Sequence, residues 1–183
     1  MQFANSLTRY GAISQALHWL TVICVSNAWS LGQLIEAFPK GPPRAFALSA
    51  HMMLGELVIA FLIGRLGWRA VNPPPPPEPT RFGAFLNFVS SLTHYALYGL
   101  LIVVPVVGIV VQMKEGRALP IFGICDLASP WPRDHEAAER ILYVHEVLAN
   151  GLLILAGLHA GAALVHHYVF HDRTLVRMLP GAT

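Results

Sequence analysis

Charge is scarce in this sequence. Only 12% of its 183 residues are Asp, Glu, Lys or Arg, against 55% hydrophobic, and the mean hydropathy is +0.53. A soluble globular domain carries about 25% charged residues, so an ordinary water-soluble fold is excluded and a membrane protein is expected. The net charge is only +2. With no Lys/Arg cluster interleaved with aromatics, a nucleic-acid partner has no support. Cysteine is nearly absent. Cys24 falls in an apolar run and Cys125 in a polar loop, so the two are not expected at one depth and no disulfide is expected. An A-x-A cleavage site is missing too. The first apolar stretch runs from about Ala12 to Ala37, longer than the roughly 7–15 residues of a signal peptide, and reads as a retained span.

What is present is four long apolar runs. A bilayer core about 30 Å thick needs about 20 helical residues. Residues 12–37, 46–68, 85–113 and 140–170 qualify, which predicts an all-α integral membrane four-helix bundle forming a single domain. Pro105 should kink the third span. "FPKGPPRA" reads as a tight turn, "NPPPPPEPT" as a stiff polyproline connector, and the loop from Lys114 to Glu139 as a cover over one mouth of the bundle. An even number of spans puts both termini on one side. The basic residues there are Arg9, Arg65, Arg69, Arg81, Arg173 and Arg177; opposite are Lys40, Arg44, Lys114, Arg117, Arg133 and Arg140. That balance leaves the orientation undecided.

The fourth run, "YVHEVLANGLLILAGLHAGAALVHHYVFHD", carries five histidines. His145 and His159 lie 14 residues apart, which on a helix is about 40° short of four full turns and about 21 Å of rise. They share a face, one near each membrane surface. His51 sits level with His145, and His18 level with His159. Two imidazoles at each of two depths are what a bundle needs to hold two metal macrocycles, one above the other, and two bis-histidine b-type haems fit that ligand count. Covalent c-type attachment is excluded, because no C-x-x-C-H occurs. Tetrahedral zinc is disfavoured without thiolates and with only two ligands per level. Gly55, Gly151, Gly157 and Gly161 would leave room for a flat ligand, though glycine is common wherever membrane helices touch.

Other polar residues in the spans have several readings. His94 lies at roughly the depth of His18 and His159, and His166 is one step nearer the terminal surface; both are candidates to line a quinone pocket. Trp19, beside His18, is a further quinone candidate and also suits the interfacial aromatic belt with Tyr10 and Tyr143. Glu56 and Glu146 are acids inside spans, able to orient an imidazole or carry protons. His135, His167 and His171 read as solvated residues at the membrane margins.

"ALHWL", the His-then-Gly of "AHMMLGE" and the closing "HEVLANGLLILAGLHAGAALVHHYVFHDRTLVRMLP" resemble the bacterial cytochrome b561 family over nearly the whole chain. The resemblance implies a dihaem cytochrome of the inner membrane with both termini cytoplasmic. It implies His18, His51, His145 and His159 as axial ligands. One member of that family oxidises periplasmic superoxide and reduces ubiquinone, which makes the same oxidoreductase activity the expectation here. Lys40, Arg44, Lys114 and Arg117 are then candidates to steer the superoxide anion toward the outer haem. The alternative is an electron-transfer anchor serving a periplasmic redox protein.

Overall fold

The computed structural model describes residues 2–78 and 83–181. Arg81 and the end of the polyproline stretch lie outside the described residues. Four long helices carry the chain: α1 (Ala12–Leu34), α2 (Pro42–Val71), α3 (Gly83–Lys114) and α4 (His135–Tyr168). A two-stranded antiparallel hairpin, β1 (Leu119–Ile121) and β2 (Cys125–Leu127), sits between α3 and α4.

The helix ends follow local chemistry. Gly41 has φ of 102°, a left-handed conformation that suits glycine, and Pro42 and Pro43 open α2, where their missing N–H groups cost nothing. At the start of α4, the Asp134 side chain accepts from the Ala137 N–H, and Glu136 adds negative charge in the first turn. α3 continues through Pro105 as one helix.

Three helices, α2, α3 and α4, are long and apolar enough to cross a membrane. α1 has 23 residues and no charged one, but Gln15, His18, Asn27 and Gln33 keep it out of that group. Ile63, Phe88, Ile154 and Leu158 are each about two-thirds exposed. Large apolar side chains turned outward on long helices are what lipid contact requires. The chain is thus a multi-pass helical membrane protein.

α1 packs chiefly on α2, and α3 on α4. Cys24, Val58, Leu62, Leu101, Val104 and Leu152 meet between the helices, with every helix contributing. Because lipid is as apolar as these side chains, close packing rather than escape from water holds them. Trp29 Nε1 donates to Asn150 Oδ1 at 2.8 Å, tying α1 to α4.

The two chain ends and the polyproline stretch close one end of the molecule. Arg177 is buried and donates to the Thr8 carbonyl at 3.0 Å while pairing with Glu78 at 3.2 Å. Asn5 bonds Asn72 in both directions at 3.1 Å. Gln15 reaches the carbonyls of Arg177 and Leu179, and Trp19 that of Met178. The polyproline connector is therefore fastened to both terminal segments, and Pro75 within it is buried.

Candidate functional site

The histidines gather at two levels. At the loop side, the His51 ring on α2 and the His145 ring on α4 come together edge to face, centroids 6.0 Å apart and planes at 77°. Each ring is fixed from behind. His51 Nδ1–H donates to the Ala28 carbonyl at 2.8 Å, and His145 Nδ1–H to the Val104 carbonyl at 3.0 Å. With Nδ1 protonated, Nε2 of each carries the lone pair. That is the tautomer and the backbone support of a metal-ligating imidazole.

Two glycines make this possible. A Cβ on Gly108 would lie 3.0 Å from His145 Cε1, and one on Gly32 would lie 3.3 Å from His51 Cε1. Each imidazole lies against bare backbone of a neighbouring helix. By contrast, a Cβ on Gly55, Gly151, Gly157 or Gly161 would meet nothing within 4 Å. These four leave open surface rather than a tight helix contact.

The residues fit a metal macrocycle at this level. Two metal–nitrogen bonds of about 2 Å, with about 1 Å from each nitrogen to its ring centre, set the centroids about 6 Å apart. The observed separation matches.

At the terminal side three imidazoles come together. The His94 and His159 rings are 5.1 Å apart at 79°, and His18 lies within electrostatic reach of both and of Arg65. His94 Nδ1–H donates to the Ser90 carbonyl at 2.6 Å. His18 Nδ1 is buried and has no hydrogen-bond partner. A buried imidazole nitrogen left unpaired is costly, and His18 lacks the backbone support that fixes His51 and His145.

His166 has a partner that its sequence setting did not bring out. Its Nδ1 lies 2.5 Å from Asp172 Oδ2, and Asp172 is held in turn by the Thr174 N–H at 2.9 Å. Burial pushes the Asp172 carboxyl up, but hydrogen bonds from His166 and Thr174 together bring it below the usual carboxylate range. The signal was the "HHYVFHD" run, whose aspartate follows His166 by six residues. Trp19 is committed to Met178, so its N–H is not free for a ligand.

Neither acid inside a span hydrogen-bonds an imidazole among the described residues. Glu146 is exposed. Glu56 is buried, its Oε2 accepting from the Phe122 N–H at 2.7 Å and its Oε1 lacking a partner. Glu56 thus pins the tip of the hairpin, where Phe122 has φ of 49°.

The steering candidates differ in freedom. Arg44 is occupied by Glu36 at 2.9 Å and by the Phe38 carbonyl. Lys114 stacks on Trp131 at 5.0 Å. Lys40 and Arg117 are exposed. Nearby, a hydrogen bond from His135 holds Glu115 below the usual carboxylate range. His135 is thereby engaged rather than simply solvated.

Known proteins similar to this chain include cytochromes by name. A family model described as prokaryotic cytochrome b561 matches residues 9–181. The chain is 31% identical over 186 residues to cytochrome b561 homolog 2 of Escherichia coli (strain K12), covering 98% of this chain and 95% of the relative. It is 30% identical to the probable superoxide oxidase CybB of Yersinia pestis, covering 94% and 96% respectively. Cytochrome b561 homolog 1 of the same Escherichia coli strain is 31% identical over 95% of this chain and 98% of its own length. The match runs nearly end to end, across both histidine levels, and the chain belongs to the prokaryotic cytochrome b561 family.

Proposed function

We propose that this chain is a single-domain, four-span dihaem b-type cytochrome of the bacterial inner membrane, with both termini cytoplasmic, that oxidises periplasmic superoxide and reduces ubiquinone. Membrane electron transfer with b-type haem follows from the family. The observation that carries the finer reading is the 6.0 Å approach of His51 and His145, both with Nδ1 tied to a carbonyl. His18 and His159 hold the second haem. The resemblance carried by "ALHWL" and the closing histidine-rich motif supports this pair over one that includes His94.

Haem b, when bound, supplies reversible one-electron transfer without an open coordination position. Everything else falls to the protein. Lys40 and Arg117 attract the superoxide anion to the loop side, where each of two anions leaves as dioxygen after giving up one electron. One quinone takes both electrons and two protons at the terminal side. His94, exposed beside His159, faces the acceptor. His166 hands on protons from the cytoplasm, its Nδ1 fixed by Asp172 so that Nε2 does the exchange. The name of the Yersinia pestis relative supports the choice of superoxide.

A second reading, an anchor for a periplasmic redox partner, is favoured by the hairpin. Ile124 at its turn is 86% exposed, with Phe122, Leu127 and Trp131 also exposed nearby. One assay separates the two. Purified protein supplied with superoxide and ubiquinone alone should consume both, at a rate that falls steeply as salt is added. Pigment that becomes reduced only after a partner protein is added would reject the oxidase in favour of the anchor.

A further inference from the structure

A cleft is lined by Tyr10, Leu17, Arg65, Trp68, Arg69 and Tyr98, among others, and through Arg65 it lies within electrostatic reach of the terminal-side imidazoles. Arg65 follows His51 by 14 residues on α2, so the two share a face about 21 Å apart, just as His145 and His159 do on α4. At the level where α1 supplies His18, α2 therefore supplies a cation. Arg65 acts electrostatically on both His18 and His159.

The donors around this cation are unspent. Among the described residues Arg65 has no ion pair and no hydrogen bond, and its guanidinium lies 5.4 Å from the centre of the Tyr98 ring. One turn on, Trp68 Nε1 is buried with no acceptor. Burial raises the Tyr10 phenol against the pull of Arg177, Arg69 and Arg65, so Tyr10 is a neutral donor at ordinary pH. Arg65 and Trp68 line the same cleft, and an anion held there would give the buried indole N–H an acceptor and the guanidinium a partner. The cleft holds about 50 Å³. That is well under the roughly 300 Å³ of a typical small-molecule pocket, and it suits a single carboxylate rather than a quinone ring.

We propose that Arg65 and Trp68 together anchor one propionate carboxylate of the terminal-side haem, Arg65 through its planar fork and Trp68 through its indole N–H. The proposal rests on the dihaem reading above. It makes Arg65 a tuning residue as well, because a cation beside a propionate favours the reduced haem.

The test uses the full-length protein purified in detergent, as wild type, Arg65→Gln and Trp68→Phe. Redox titration reads both haems, resonance Raman reads the propionate bending band, and phosphorus analysis reads bound phospholipid. The expected result for Arg65→Gln is a lowered potential for one haem and an unchanged potential for the other. Trp68→Phe, which removes one N–H and no charge, should shift the Raman band of that same haem and the pH dependence of its potential. Two unaltered haems in both variants would overturn the proposal while leaving the dihaem reading intact. So would a loss of phospholipid phosphorus with unchanged haems, which would assign the cleft to a lipid headgroup. Wild-type protein without pigment would reject the dihaem reading, and the proposal with it.

Discussion

Replacing Gly108 with alanine should damage one cofactor site while leaving the helix that carries the change as stable as before. The new methyl would sit 3.0 Å from His145 Cε1 and 3.3 Å from its Nδ1. Carbon atoms rest at about 3.5–4.0 Å, so the ring must retreat by roughly half an ångström. The Nδ1–H bond to Val104 is now 3.0 Å. Lengthened by that much, it passes the useful limit of about 3.2 Å and loses about 0.5–1.5 kcal/mol. Alanine returns about 0.5–1 kcal/mol through helix propensity, so the net change in stability is close to zero. The cofactor does not share in that cancellation. Disturbing the outer support of a metal-ligating histidine typically costs about 10–100-fold in affinity. Haem content and redox titration of Gly108→Ala should show the loop-side haem depleted or shifted and the other unchanged. Gly99→Ala is the control. It lies on the same helix about 180° round, where a methyl meets nothing within 4 Å. If Gly108→Ala keeps both haems at wild-type occupancy and potential, the argument that backbone closeness positions His145 is refuted.

Three further outcomes are expected. Reversing Lys40 and Arg117 together to glutamate should slow superoxide oxidation about tenfold at low ionic strength and flatten its salt dependence; stopped-flow rates from low to high salt check this, and an unchanged slope would remove both residues from the steering role. Glu56→Leu should lower stability by about 1–3 kcal/mol by removing the charged acceptor of the Phe122 N–H, whereas Glu56→Gln keeps an acceptor and should cost far less; equal unfolding midpoints for the two variants would contradict the pinning of the hairpin. The Asp172 carboxyl titrates below its unfolded counterpart, so its contribution to docking residues 169–179 is complete above about pH 4 and fades as pH falls through the lower folded value; hydrogen exchange in that segment should stay slow down to about pH 4 and accelerate only below it.

The long helices were readable because apolar runs of bilayer length have few alternatives. Their ends were less so. α4 begins at His135 rather than near Arg140, since Asp134 caps a polar first turn that hydropathy alone assigns to a loop. α2 begins inside "GPPRA", where the prolines that suggested a turn instead open the helix. The nearness of His51 and His145 was legible from depth alone, since both lie near the loop side of their helices. The crowding of His94 onto His159 was only half legible: depth was readable, but rotation depends on how α3 packs against α4. Nothing local announced that Arg177 would be buried against Thr8 and Glu78, or that Glu56 would hold the Phe122 amide. Those bonds join segments 66 or more residues apart and exist only once the helices have assembled.

The clasp formed by Thr8, Glu78 and Arg177 also bears on biosynthesis. Its last member follows α4 in the sequence, so the clasp cannot close until all four helices have been made. The earlier helices must enter the bilayer with that end of the molecule still unlatched. Filling of the space between the helices at that end can therefore follow the synthesis of α4, and the latch would seal it afterwards.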